Sequence, residues 1–175
     1  MSTKAPNYKK VFCYYDYMII TLDELADIRQ RHKGQKIVLT SGTFDLLHVG
    51  HLKYLEQVKQ YGDILVVMLS GDRRTKARKG TKRPIIPEND RASILDALKV
   101  VDYVFIDPSK LDPDDIDPVH AEILQLLRPD FYVTDGPDPR FVNLLDQSKF
   151  IILYRAEGGT HASTSAIIAH ILSLK

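Results

Sequence analysis

Two histidines, His48 and His51, lie three residues apart with Gly50 between them. At that spacing in a helix both imidazoles share one face. They follow an apolar run, Lys36-Ile37-Val38-Leu39, and a turn, Thr40-Ser41-Gly42-Thr43-Phe44-Asp45. Leu46, Leu47, Leu52 and Leu55 then set a helical pattern, so the pair is expected just inside a helix start. A helix start exposes unbonded N–H groups and the positive end of the helix dipole. A strand–turn–helix carrying two histidines there suits a polyphosphate. Two histidines are also half a zinc site, but no Glu lies between them and the HExxH pattern is absent. Gly50 costs up to about 1 kcal/mol against Ala inside a helix. Its return is room for a ligand close to the backbone.

Three further groups could touch phosphate. Ser163-Thr164-Ser165 follow Arg155, Gly158 and Gly159. Hydroxyls there suit phosphate oxygens, with a plain helix N-cap as the alternative. Arg73 to Arg83 carries seven Lys/Arg residues in eleven positions. This run follows an apolar strand, where open α/β sheets place ligands, and it reads as a mobile basic loop able to close on phosphate. Arg91 is expected in the first turn of a helix begun by Pro87 and Glu88. The dipole disfavours a cation there, so Arg91 calls for an anionic ligand or an acidic partner such as Glu88. Asp107, Asp112, Asp114, Asp115 and Asp117 could hold a cation, but the EF-hand pattern is absent and Asp-Pro pairs are turn chemistry. No protein-built metal site is expected.

The elements that position these groups alternate. Thr21-Leu22-Asp23-Glu24 reads as a capping box opening a helix to about His32, closed by Gly34. Buried strands are expected at 36–39, 64–69, 102–106, 131–134 and 150–154. Helices are expected from about Leu46, from Pro87, over 119–127, over 141–147 and from Ser163 to about Leu172. This is the pattern of an α/β doubly wound parallel sheet, with the first and last turns meeting at one carboxyl edge. Neither GxGxxG nor GxxxxGK(S/T) occurs, which disfavours a hydride-transfer dinucleotide fold and a P-loop kinase. Residues 1–20 read as an N-terminal extension and 21–175 as the domain. The run Val11-Phe12-Cys13-Tyr14-Tyr15-Asp16-Tyr17-Met18-Ile19-Ile20 is either a strand on its own domain or a partner surface.

Gly42-Thr43-Phe44-Asp45-Leu46-Leu47-His48-Val49-Gly50-His51 resembles the GTFDxxHxGH signature of the cytidylyltransferase-like nucleotidyltransferases. Ala162-Ser163-Thr164-Ser165-Ala166-Ile167-Ile168 resembles that family's second signature, about a hundred residues later. The resemblance implies a Rossmann-like five-stranded sheet of order 3-2-1-4-5. It implies transfer of a nucleoside monophosphate from a nucleoside triphosphate to a phosphate monoester, with Mg²⁺ as the triphosphate's partner. It assigns His48, His51, Lys79 and Arg155 to catalysis, and Thr43, Phe44, Asp45, Gly50, Ser163, Thr164 and Ser165 to nucleotide. Asp72, Arg91 and Asp135 are expected on substrate. Thr21-Leu22-Asp23-Glu24-Leu25, Lys79-Gly80 and Arg83-Pro84 look most like the heptose 1-phosphate adenylyltransferase domain, which favours ATP. Lys99 leans instead towards glycerol-phosphate or ethanolamine-phosphate cytidylyltransferases. Archaeal-type FAD synthetases usually carry C-terminal cysteines that this chain lacks. Asp135-Gly136-Pro137-Asp138-Pro139-Arg140 departs from the family's GGD-like turn, leaving the acceptor open. A non-catalytic nucleotide-binding module is the alternative of another class.

Composition sets the remaining bounds. The chain has 175 residues, 44% hydrophobic and 27% charged, with a net charge of +1. That gives no case for broad nucleic-acid or membrane binding. One cysteine, Cys13, cannot form an internal disulfide. With no apolar run of membrane length and no secretory leader pattern, a cytoplasmic protein is expected. A homodimer is expected from the family resemblance and the aromatic N-terminal run.

Overall fold

The computed structural model describes residues 19–109, 118–136, 141, 144–146, 149–153 and 163–174. In order these form α1 (Leu25–Arg31), β1 (Ile37–Gly42), α2 (Val49–Lys59), β2 (Ile64–Ser70), α3 (Asp72–Lys79), α4 (Glu88–Asp96), β3 (Tyr103–Asp107), α5 (Pro118–Leu127), β4 (Phe131–Thr134), β5 (Phe150–Ile152) and α6 (Thr164–Ser173). The five strands are parallel in the order β3-β2-β1-β4-β5. Ile37 pairs with Ile64 and Val38 with Phe131, so β1 is central.

Strand periodicity sorts the core into two layers. Ile37 and Leu39 of β1 join Val66 and Met68 of β2 on one face, beneath Leu25 and Ile28 of α1 and Ile123 and Leu127 of α5. Val38, Leu65 and Val67 face the other way, against Leu55 and Val58 of α2 and Ala92 and Leu95 of α4. All seven residues of β2 are buried, which is why its sequence is a continuous apolar run. Side chains brace the loops at the far end of the sheet. Asp130 accepts from the Ile37 N–H and from Arg29. Asp102 pairs with Lys59 and accepts from the Leu65 N–H.

The chain winds outward from β1 to β3, then returns to β4 on the other side of β1. This makes a topological switch point between the carboxyl ends of β1 and β4. Ile19 bridges Val104 and the Ile20 N–H donates to the Val104 carbonyl, so the last two residues of the expected extension join the β3 edge.

The main departure from expectation is the basic run, which is largely helical rather than a loop. Gly71 supplies an extended N-cap and Asp72 an acidic first turn. Lys76, Arg78 and Lys79 crowd the last turn, and Gly80 ends it at φ +90°. Both charge placements complement the helix dipole. In the capping box, Glu24 accepts from both the Thr21 N–H and its hydroxyl, and the helix proper begins at Leu25. Residues 11–18 of the aromatic run, most of the Asp107–Pro118 loop, the Pro137–Arg140 turn and residues 142, 143 and 147 of the expected 141–147 helix lie outside the described residues.

Candidate active site

The signature turn leaves β1 at Gly42 and reaches α2 at Val49. Phe44 and Leu46 have φ of +48° and +46°. Left-handed backbone costs an L-residue roughly 1–2 kcal/mol. The turn is therefore held in shape by its surroundings. The Phe44 ring folds back over Gly42, where an added Cβ would stand 2.6 Å from Phe44 Cε2. Only glycine leaves the ring that space.

His48 is not inside the helix as its spacing predicts. It is the N-cap, in extended conformation at φ −139° and ψ 169°. The reason is its side chain: Nδ1 accepts from the Gly50 N–H at 3.1 Å, as a capping oxygen would. That bond sets the tautomer, so a neutral His48 carries its proton on Nε2. His51 sits in the first turn of α2. The two rings stack, with centroids 3.8 Å apart and planes 21° from parallel. Phe44 meets His51 edge to face at 5.4 Å.

Asp45 is 1% exposed and organises the next segment. Its carboxylate accepts from the Ile85 and Ile86 N–H groups at 3.0 Å and from Arg83 Nε at 2.8 Å. Burial alone would raise this carboxyl. The two backbone donors and the Arg83 guanidinium outweigh burial and hold it below the ordinary value. Its backbone carbonyl accepts from the Thr164 hydroxyl at 2.7 Å, across 119 residues of sequence. This bond joins the two sequence signatures. Ser163 is the N-cap of α6, its hydroxyl accepting from the Ala166 N–H, and Ser165 beside it is exposed.

Arg91 lies behind the turn. It is 1% exposed, and its guanidinium donates to the carbonyls of Thr43, Ser70 and Ile86 and to Asp72 Oδ1 at 2.6 Å. Its acidic partner is thus Asp72, not Glu88. Glu88 accepts from the Asp72 N–H. Arg91 thus spends its donors on acceptors of the fold and faces no open space, as a buried guanidinium requires. Asp72 stays partly exposed while it carries that pair.

The end of α3 reaches the same place. Arg78 donates to the Thr43 hydroxyl at 3.0 Å. Lys79 is an exposed residue, yet its ammonium is lowered below the ordinary value by desolvation among its neighbours and by Arg78 and Arg83, against the opposing pull of Asp45 and Asp135. Asp135, at the end of β4, is therefore within electrostatic reach of Lys79. His48, His51, Thr43, Phe44, Asp45, Lys79, Asp135 and Ser163 to Ser165 thus gather at the switch point, and Arg155 lies outside the described residues. The roles of Arg78, Arg83 and Glu88 were not readable from sequence, since each depends on a partner far along the chain. For the two arginines the charge density of 73–83 is the one signal available.

Among the described residues no three His, Cys, Asp or Glu side chains form a metal cluster, and no helix is long and apolar enough to cross a membrane. A family model described as Cytidylyltransferase-like matches residues 39–170. The Bifunctional protein HldE of Geobacter metallireducens is 54% identical over 93 residues, covering 52% of this chain and 19% of that protein. HldE of Helicobacter pylori strain Shi470 is 43% identical over 155 residues, covering 87% of this chain and 31% of that one. The chain thus spans less than a third of the length of these relatives. Among solved structures, a lipopolysaccharide core biosynthesis protein from Thermoplasma volcanium is 28% identical with a TM-score of 0.54, covering 71% of this chain and all of that one. A pantoate–β-alanine ligase from Francisella tularensis, complexed with β,γ-ATP and β-alanine, shares the fold at 21% identity and a TM-score of 0.53, covering 83% of this chain and 71% of that one. The match over residues 39–170 takes in both signatures and the switch point they share, and the chain belongs to the cytidylyltransferase-like family of nucleotidyltransferases.

Proposed function

We propose that this chain transfers AMP from ATP to a sugar 1-phosphate of the heptose type and releases pyrophosphate. The observation that carries the reading is the Thr164–Asp45 contact, which sets the start of α6 against the turn bearing the stacked histidines. Two helix N-termini and the cationic end of α3 then surround one space, a geometry suited to a triphosphate. The similarity to HldE proteins supports ATP and a sugar phosphate over the cytidylyltransferase alternatives.

In this reaction a phosphate-monoester oxygen attacks the α-phosphorus in line. The bond from that phosphorus to the bridging oxygen breaks, and pyrophosphate leaves with the electron pair. The attacking group is already largely anionic near neutral pH, so no strong base is required. The protein's work is positioning and neutralisation of charge. His48 Nε2–H and His51 would donate to the α-phosphate and the leaving oxygen. Lys79 and Arg155 would neutralise developing charge. Ser163, Thr164 and Ser165 would meet the outer phosphates, and Thr43, Phe44 and Gly50 the nucleotide. Asp135 would border the acceptor. Mg²⁺ would supply further charge neutralisation when bound, held mainly by phosphates and water.

The test is pyrophosphate release with Mg²⁺, pairing ATP or CTP with heptose 1-phosphate, glycerol 3-phosphate, phosphoethanolamine and FMN. ATP with the heptose ester is the expected productive pair. Productive CTP with glycerol 3-phosphate or phosphoethanolamine would replace the reading with a cytidylyltransferase. Binding of ATP with no pyrophosphate from any pair would make the chain a nucleotide-binding module.

A further inference from the structure

A second buried polar cluster lies at the carboxyl end of β3. Asp107, His120, Arg74 and Ser109 are 3%, 0%, 5% and 6% exposed. Asp107 Oδ2 accepts from His120 Nε2 at 3.3 Å and lies 3.9 Å from Arg74 Nε. Asp107 Oδ1 accepts from the Ser109 N–H, and Arg74 also donates to the Ser109 hydroxyl at 2.9 Å. The cluster thus links α3, through Arg74, to the end of β3 and to α5, through His120. The ring of His120 also faces Phe141 at 5.2 Å.

What makes this link consequential is the composition of α3. The helix reads Asp-Arg-Arg-Thr-Lys-Ala-Arg-Lys, and its buried residues are Arg74 and Thr75. It contributes no residue to either apolar core. Among the described residues its orientation is therefore set by polar contacts. Asp72 to Arg91 and Glu88 holds its first turn, Arg74 to Asp107 and Ser109 holds its middle, and Arg78 to Thr43 holds its end. A buried ion pair adds little net stability over apolar packing of the same volume, but breaking one strands a charge. Its return is a single allowed geometry.

We propose that Asp107 is a positioning residue that, braced by His120, holds Arg74 and so fixes the angle of α3, setting Arg78 and Lys79 on the triphosphate. The inference rests on the nucleotidyltransferase reading for its consequence, but not for the mechanical link.

The test uses Asp107→Asn, His120→Leu and His120→Gln in the full chain, with two readouts. Amide hydrogen exchange compares α3 (the N–H groups of Thr75 and Gly80, bonded to Gly71 and Lys76) with the β1–β2 ladder. ATP affinity by calorimetry with Mg²⁺, and kcat and KM for pyrophosphate release, report the site. In Asp107→Asn and His120→Leu, α3 should exchange about tenfold faster or more while the ladder is unchanged, since local opening is independent of global unfolding. ATP affinity should fall, and kcat/KM should drop up to about a hundredfold, the usual loss for a displaced catalytic group. His120→Gln keeps an N–H for Asp107 and should restore both readouts. Unchanged exchange in α3 overturns the proposal. So does acceleration of α3 and the ladder together, which would make the cluster a global stability element, and so does faster α3 exchange with unaltered ATP affinity. A wild-type chain that never releases pyrophosphate overturns the functional reading, while exchange and ATP binding still test the positioning role.

Discussion

His48 does two jobs that one pair of substitutions separates. Its Nδ1 caps α2 by accepting from the Gly50 N–H, and its Nε2 carries the proton suited to a phosphate oxygen. Replacing it with alanine removes both functions. Loss of a side-chain N-cap costs roughly 1 kcal/mol. For a domain of this length that lowers Tm by about 2–4 °C. Loss of a preorganised donor to transition-state charge costs a further 10²–10³ in kcat, or about 3–4 kcal/mol of barrier. Asparagine is among the best N-cap residues and restores the first function without the second. His48→Asn should therefore melt within a degree or two of the wild type, by about the same Tm relation. Its pyrophosphate release should be as slow as that of His48→Ala. The assays are thermal unfolding and steady-state pyrophosphate release with ATP and Mg²⁺. Two results would refute the reasoning. Wild-type turnover in His48→Asn would mean that the imidazole acts only as a cap. Equal Tm loss in both variants would mean that the Gly50 bond does not set the stability of the helix start.

Other perturbations follow from the same geometry. Gly42→Ala places a Cβ 2.6 Å from the Phe44 ring, so the ring must leave its place against His51; overpacking of this kind costs roughly 1–3 kcal/mol, and turnover should fall along with Tm. Asp45→Asn leaves Arg83 without its buried counter-charge and, with the amide oxygen kept on the Ile85 and Ile86 N–H groups, turns its NH2 donor on the Arg83 Nε–H; urea denaturation should show a loss of about 3–5 kcal/mol. Asp107 is held at about 2, because the His120 bond and charge and the Ser109 bonds overcome a burial that works to raise it. Its unfolded value is higher, so the unfolded chain binds more protons between about pH 4 and pH 2. The stabilisation is complete above that window and is lost as pH falls through it. From an ordinary value of 3.8, this is worth about 2 kcal/mol, and Asp107→Asn should flatten the stability–pH slope there.

Sequence by itself determined the architecture and the chemistry-bearing turn. The apolar runs at 36–39 and 64–69 read as buried strands, and alternation with helices pointed to a parallel sheet. The His-x-Gly-His spacing and the late Ser-Thr-Ser are local patterns, legible because neighbours in the chain decide them. The family's order of strands came with that resemblance, and the structure has the same order. What tertiary structure alone decided were the partners. Nothing near Arg91 in the chain says that its guanidinium will reach Thr43, 48 residues back, or that Asp72 rather than Glu88 will take its charge. Asp45 finds Thr164 across 119 residues for the same reason. Even His48 was misplaced by spacing, because periodicity gives the face of a residue but not whether its ring will turn back to cap the helix. The basic run held the clearest missed signal. Its acid-first, base-last order suits a helix dipole, but charge density alone suggested a loop. A charge in a sequence has no partner until the fold supplies one, and in this protein the buried partners, more than the residue types, position the groups around the switch point.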